Sequence, residues 1–434
     1  MINKIKNNIF VKSAVLLLVG GVLTKTVGFF LKIIITRKIG TEGIGLYSLL
    51  GPSISLLTVI ATFSYPTAIS RAISNKTLRA KSLLYSIIPV SLILNLILFV
   101  VVFLFAKTLS IDLLKDERLY YPIVCIGATL PFISISSIIK GYFWGKQNMF
   151  PYMLSNFLEQ ITRMILILLF LDKFISIGLV KTICFIILIN AVGEVVSQIV
   201  MIQFFPKYKI NVREFVVNKK DVLNVMNTAV PATSSKIIGS IAYFLEPIIL
   251  TNILLYVGYS KDYIIYEYGV INAYSLTLLL MPQFFTQNMS TALVPELSKY
   301  YALKDYKMCK KRIKQIIIVS STIGAISTLI ISLFPNFFLN ILYHTNEGID
   351  YIRLLSPFTI LFYIEYPLIN ALQALNRSKD AMRATIINSI VRLLSITIFS
   401  FMKIGMYSLL ISIIINLVVS TYIYYRLLKK AFNH

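Results

Sequence analysis

Twelve runs of mostly apolar residues, each about twenty or more residues long, are separated by short polar links, and no other feature restricts this chain as tightly. A helix needs roughly 20 residues to cross the hydrocarbon core of a bilayer. The runs fall at about 13–36, 43–65, 82–106, 120–142, 151–171, 179–204, 226–256, 268–294, 316–338, 354–375, 383–402 and 405–426. The links between them reach about twenty residues at most, which leaves no room for a soluble domain. The first run is too long for a signal-peptide core and lacks a small-residue cleavage site, so it reads as a retained helix. The pattern predicts an all-α integral membrane protein with about 12 transmembrane helices.

Charge then sets the orientation. The chain carries 42 Lys and Arg against 18 Asp and Glu, a net charge of +24. In a soluble protein this excess would point to nucleic acid. Here most of it sits in the short links, where membrane topology and an anionic lipid surface account for it, and no nucleic-acid partner is expected. With the N-terminus inside, about 27 cations fall in inside segments and about 10 in outside loops, Lys140 being counted with the link that follows it. That bias places both termini in the cytoplasm of a multi-pass protein of the cytoplasmic (inner) membrane. The basic stretch from Lys304 to Lys314 reads as an inside-facing loop in contact with lipid.

Other residue types close off chemistry. The three cysteines, Cys125, Cys184 and Cys309, form no C-x-x-C pair, and the two histidines are His344 and His434. Neither a disulfide framework nor a zinc site can be read from this set, and a Ser-His-Asp or Cys-His machine lacks parts. No metal, no cofactor and no enzymatic activity are expected. A membrane polymerase or ligase would also need a larger outer loop than the 7–15 residues estimated here.

The chain repeats itself. Tyr47-Ser48-Leu49 recurs as Tyr274-Ser275-Leu276, Pro66 is matched by Pro295, and Lys25-x-x-Gly28 by Lys236-x-x-Gly239. Arg163 in the fifth run and Arg392 in the eleventh are 229 positions apart, the same shift as for the prolines. A six-plus-six duplication follows, with lobes at 1–210 and 211–434. Because six is even, the halves share one orientation, as in transporters built from two parallel bundles with a substrate path between them.

Five cations lie inside runs: Lys25, Lys32, Arg163, Lys236 and Arg392. Each costs about 2.5–3.5 kcal/mol at a helix centre unless water, a carboxylate or a bound anion relieves it. Gly21, Lys25, Gly28 and Lys32 share one helical face, which suits a water-filled cavity. Lys32 also lies where it could snorkel to the outer interface. Glu159 precedes Arg163 at the favourable i, i+4 spacing, consistent with a structural pair or a substrate role. Arg392 has Asn388 at the equivalent place and no acid, which marks it for an external anion. The acids within runs are Glu159, Glu194, Glu246 and Glu365, each able to carry a coupling proton or to partner a cation. Glu246 beside Pro247 and Glu365 near Pro367 sit where a broken helix could expose carbonyls to a cation.

Several stretches carry a resemblance. Ile39-Gly40-Thr41-Glu42-Gly43-Ile44-Gly45-Leu46-Tyr47-Ser48-Leu49 and Tyr65-Pro66-Thr67-Ala68-Ile69-Ser70-Arg71 resemble polysaccharide-biosynthesis flippases. Lys140-Gly141-Tyr142-Phe143-Trp144-Gly145-Lys146-Gln147-Asn148-Met149, then Pro151 and Glu159-Gln160-Ile161-Thr162-Arg163, is the most specific stretch. It is similar to the stage V sporulation protein B branch of the multidrug/oligosaccharidyl-lipid/polysaccharide superfamily. The likeness is strongest over the first 165 residues, with Ala292-Leu293-Val294-Pro295 carrying it best in the second half.

The resemblance implies a bundle of two six-helix lobes that moves a lipid-linked sugar diphosphate outward by alternating access. It implies cavity cations that meet the diphosphate, on the spans that hold Lys25, Lys32 and Lys236, and it matches Arg71 to the arginine ending the second span. With Arg392 these are the expected substrate-binding residues. Glu159, Arg163, Glu246 and Glu365 are the expected ion-coupling or gating groups, with H+ or Na+ as the coupling cation. Two departures stand out: the cavity cations are mostly lysine, and twelve spans are read where that branch often has fourteen. The alternative reading on the same architecture is a multidrug/cation antiporter, which would want a more acidic cavity.

Overall fold

A computed structural model describes residues 9–74, 80–206 and 218–432; side chains are described from Gly20 onward, apart from residues 235, 292 and 295. The expected lobe boundary between residues 210 and 211 lies outside the described residues, as does His434. Among the described residues there is no strand, and 91% of them are helical.

Helix α1 runs over Ile9–Thr62 but is two rods, broken at Gly40 (φ 69°, ψ 178°). That conformation is open to glycine and disfavoured for residues with a Cβ. The break divides the first two expected spans. The chain continues through α2 (Tyr65–Ser74), α3 (Ala80–Lys107), α4 (Tyr120–Gly145), α5 (Met149–Ile177) and α6 (Leu179–Gln203). Then come α7 (Lys219–Tyr256), α8 (Lys261–Gly269), α9 (Leu276–Leu280) and α10 (Gln283–Ala302). A π turn at Val270–Ser275 joins α8 to α9. The last five helices are α11 (Tyr306–Leu333), α12 (Pro335–Tyr343), α13 (Ile349–Ala374), α14 (Ser378–Phe401) and α15 (Tyr407–Ala431).

Nine described helices are long and apolar enough to cross a membrane, ten if the pair Lys261–Leu280 and Gln283–Ala302, bent by 57°, is one span. Gly40 splits the first of the nine, and the 29-residue α5 stands outside them. With both included, all twelve expected runs lie on helices.

The helices sort into two compact units. Unit 1 comprises Met1–Ile39 and Leu50–Ile241, and unit 2 comprises Gly40–Leu49 and Ala242–His434. In unit 1, α3 packs on α4, α5 on α6, α4 on α6, and α2 on α4. In unit 2, α11 packs on α13, α14 on α15, α13 on α15, and α10 on α13. Under the six-span shift these four neighbour relations are the same, so the duplication seen in sequence is a duplication of packing.

Each unit has a core near equivalent helix ends. In unit 1, Tyr65, Ile69, Tyr142 and Phe143 are buried with Val225 and Ala229 of α7. Tyr142 stacks on Phe205 at 4.5 Å, an arrangement worth about 0.5–1.5 kcal/mol beyond burial. Ser82 Oγ donates to Asp221 at 2.5 Å and Ser86 Oγ accepts from the Asn218 N–H at 3.0 Å, tying the start of α7 to α3. In unit 2, Leu297, Cys309, Ile313, Leu372, Tyr424 and Leu428 form the matching core. Cys125 on α4 and Cys184 on α6, distant in sequence, come into side-chain contact.

Candidate functional site

The in-span charges divide into those the protein neutralises itself and those it leaves to something else. In unit 1, Glu159 and Arg163 follow each other on α5 and pair directly, Arg163 Nη2 lying 2.6 Å from Glu159 Oε1. Lys140 of α4 reaches the same carboxylate from the other side, 3.6 Å from Oε2, and lies 3.4 Å from Glu194 Oε2 of α6. Arg163 Nη2 is 3.9 Å from Glu194 Oε1. The four groups, two cations and two acids on three helices, close a neutral ring inside the unit. Their side chains are between 7% and 17% exposed, so their mutual attraction is little screened.

Helix geometry and one glycine permit this ring. Glu159 and Arg163 stand one turn apart on one face of α5. A Cβ at Gly193 would come within 2.6 Å of Arg163 Nε and 3.2 Å of Glu159 Cγ, so α6 lets the arginine pass only because Gly193 precedes Glu194. Gly28 of α1 faces the Gln160 amide of α5, next to the ring.

Unit 2 resolves its buried arginine differently. Arg392 Nε of α14 donates to Glu246 Oε2 of α7 in a close ion pair, with the Glu246 side chain 3% exposed. This overturns the expectation that Arg392, lacking an acid one turn back, waits for an external anion: the acid comes from another helix. Tyr243, Tyr268 and Glu365 of α13 lie in the electrostatic field of Arg392. Glu365 also interacts with Ser420 of α15. Asn388 does not replace the missing acid; its Oδ1 has no hydrogen-bond partner, and its carbonyl accepts from Asn416 Nδ2 at 2.8 Å.

The remaining expected residues are placed otherwise. Lys25 on α1, Arg71 in the last turn of α2 and Lys236 on α7 are exposed, and among the described residues none of their side chains forms an ion pair or hydrogen bond. Lys32 is half-buried on α1. All four belong to unit 1, as do Glu159 and Arg163, whereas Glu246, Glu365 and Arg392 belong to unit 2. Among the described residues no group of three His, Cys, Asp or Glu side chains is arranged to hold a metal ion.

Reading the sequence missed Lys140 as a buried charge. Counted with the link after the fourth span, it is in fact within α4 and faces two carboxylates. The usable signal was its place inside the run at 120–142 together with two acids, Glu159 and Glu194, on the following two runs.

Comparison with known proteins supplies the context for these sites. A model of the polysaccharide biosynthesis protein family matches residues 10–301, and the MatE model matches residues 269–402. Stage V sporulation protein B of Bacillus subtilis is 31% identical over 395 residues, covering 88% of this chain and 76% of that protein. Lipid II flippase MurJ of Bacillus subtilis is 21% identical over 411 residues, covering 87% of this chain and 75% of its own. Among solved structures, the inward-facing form of a multidrug resistance MATE family transporter of the MOP superfamily aligns with a TM-score of 0.75. That alignment covers 94% of each chain at 16% identity and establishes the shared fold.

Proposed function

We propose, from the premise that this chain belongs to the polysaccharide biosynthesis protein family and is a membrane transporter of the MOP superfamily, that it flips an undecaprenyl-diphosphate-linked oligosaccharide to the outer leaflet. The cargo is a precursor of a wall, capsule or spore polysaccharide. The observation that carries this reading is the division among the in-span cations. Arg163 and Arg392 are matched by protein carboxylates, while Lys25 and Lys236 are not.

Unmatched cations on apolar helices call for an anion, and a diphosphate supplies two linked phosphates. Lys25, Arg71 and Lys236 are assigned to the headgroup on that ground, and Lys32 because it shares the face of α1 that carries Lys25. Lysine acts there as a point charge, without the bidentate fork of arginine, which suits a headgroup that must be released on the far side. The polyprenyl tail stays in lipid, and a chain of two lobes, 1–210 and 211–434, exposes the headgroup to each side of the membrane in turn. The drive is the membrane potential or a gradient of H+ or Na+, with Glu159, Arg163, Glu246 and Glu365 as coupling or gating groups. Both termini are assigned to the cytoplasmic side of the cytoplasmic membrane. No covalent step is involved.

The test is reconstitution of the full chain in proteoliposomes with a labelled undecaprenyl-diphosphate-linked sugar. Replacing Lys25 and Lys236 together by alanine is expected to lower the flipping rate at least tenfold while leaving the fold intact, because both side chains are exposed. Unchanged flipping by that variant would remove the mechanism. The MatE match over residues 269–402 favours a second reading, a multidrug/cation antiporter. Dye efflux from the same proteoliposomes, without flipping, would select it.

A further inference from the structure

A basic collar rims one end of unit 2, where α11 begins and α15 ends. Lys307, Lys310, Lys311 and Lys314 follow i, i+3, i+4 and i+7 on α11 and so share one face. Arg426, Lys429 and Lys430 do the same over the last turns of α15. All seven side chains are exposed. The two basic faces lie side by side. Lys310 Nζ sits 5.3 Å above the Phe432 ring, and the Tyr306 and Phe432 rings meet edge-on at 6.5 Å. Beneath them Cys309 and Ile313 share a buried cluster with Tyr424, Leu428 and Ala431.

The acids nearby are already used. Glu296 pairs with Arg312 at 2.9 Å, and Asp305 caps α11 by accepting from the Met308 N–H at 3.0 Å. Among the described residues none of the seven cations forms a hydrogen bond or an ion pair through its side chain. On α15 the cations complement the negative helix end; on α11 they crowd the positive end, an arrangement that is unfavourable until an anion arrives.

The position of the collar selects the anion. The apolar length of α11 begins near Ile316, so residues 306–315 extend it by about 15 Å at 1.5 Å per residue. That is more than the roughly 5–8 Å depth of the polar layer on one side of a bilayer. The lysine stems can lie along apolar surface with the ammonium groups among headgroups, beside the exposed rings of Tyr422 and Tyr425. We propose that this collar binds the phosphates of anionic phospholipids, through the seven cations of α11 and α15, independently of any transported headgroup.

The experiment uses the full chain purified in detergent and native mass spectrometry with equal amounts of dioleoyl phosphatidylglycerol and dioleoyl phosphatidylcholine. Phosphatidylglycerol is expected to be retained at least fivefold over phosphatidylcholine, with the preference lost in 0.5 M salt. The variant K307Q/K310Q/K311Q/K314Q is expected to bring that preference below twofold, and the corresponding four-arginine variant to keep it. Thermal unfolding is followed in parallel. If the glutamine variant does not fold, R426Q/K429Q/K430Q on the other helix decides the matter. Equal retention of the two lipids, or undiminished phosphatidylglycerol binding by a folded glutamine variant, overturns the proposal. Binding of polyglutamate without preference for phosphatidylglycerol overturns it in favour of an acidic protein partner.

Discussion

Arg163 and Arg392 occupy equivalent positions in the two halves, one turn of helix apart from Glu159 and Asn388 respectively. In unit 1 the acid sits on the same helix as its arginine, and Lys140 and Glu194 enlarge the pair to four groups on three helices. In unit 2 the acid is absent from that helix and Glu246 enters from α7. A four-membered ring distributes its charge, so losing one member leaves partners for the rest. Glu246 has no second cation among the described ion pairs, and a buried charge stripped of its partner typically costs about 3–5 kcal/mol. Equivalent positions are therefore neutralised by a shared network in one half and by one carboxylate from another helix in the other.

That contrast fixes the order of effects in thermal unfolding of the detergent-solubilised protein. Arg392→Met, which strands Glu246, is expected to destabilise most, by about 3–5 kcal/mol. A loss below about 1 kcal/mol would show that Glu246 is served by another group and would erase the difference between the halves. Returning unit 2 to the unit 1 solution sharpens the point: Asn388→Glu in a Glu246→Gln background is expected to recover about half or more of what Glu246→Gln loses. No recovery would mean that α14 cannot seat the local pair. In unit 1, Lys140→Met removes one cation of two and is expected to cost about 1–3 kcal/mol, less than Arg392→Met. Gly193→Ala, which pushes a methyl group against Arg163, belongs in the same range. Arg163→Lys keeps the link to Glu159 and gives up the reach to Glu194, for a cost of about 0.5–1.5 kcal/mol.

Most of the architecture could be read from the sequence because bilayer thickness and backbone hydrogen bonding leave apolar runs little choice but helix. The duplication was legible through residues with unusual jobs, such as Arg163 and Arg392. Pairing was legible only where it is local. The Glu159–Arg163 spacing declares itself on one helix. Glu246 and Arg392 are 146 positions apart, and no periodicity announces that α7 and α14 bring them together. Lys140 was hidden for a different reason: the end of a run is uncertain by several residues, and a lysine near that edge looks like part of the link. The contact of Cys125 with Cys184 depends likewise on the parallel packing of α4 and α6.

In unit 2, Gly45 and Gly269 face each other so closely that a Cβ on Gly269 would stand 2.8 Å from the Gly45 backbone, and one on Gly45 would collide with the Ile265 carbonyl. Glycine at both places lets the two backbones touch with no side chain between them. A methyl group at either position would have to push the rods apart, a purely steric wedge that touches no charge.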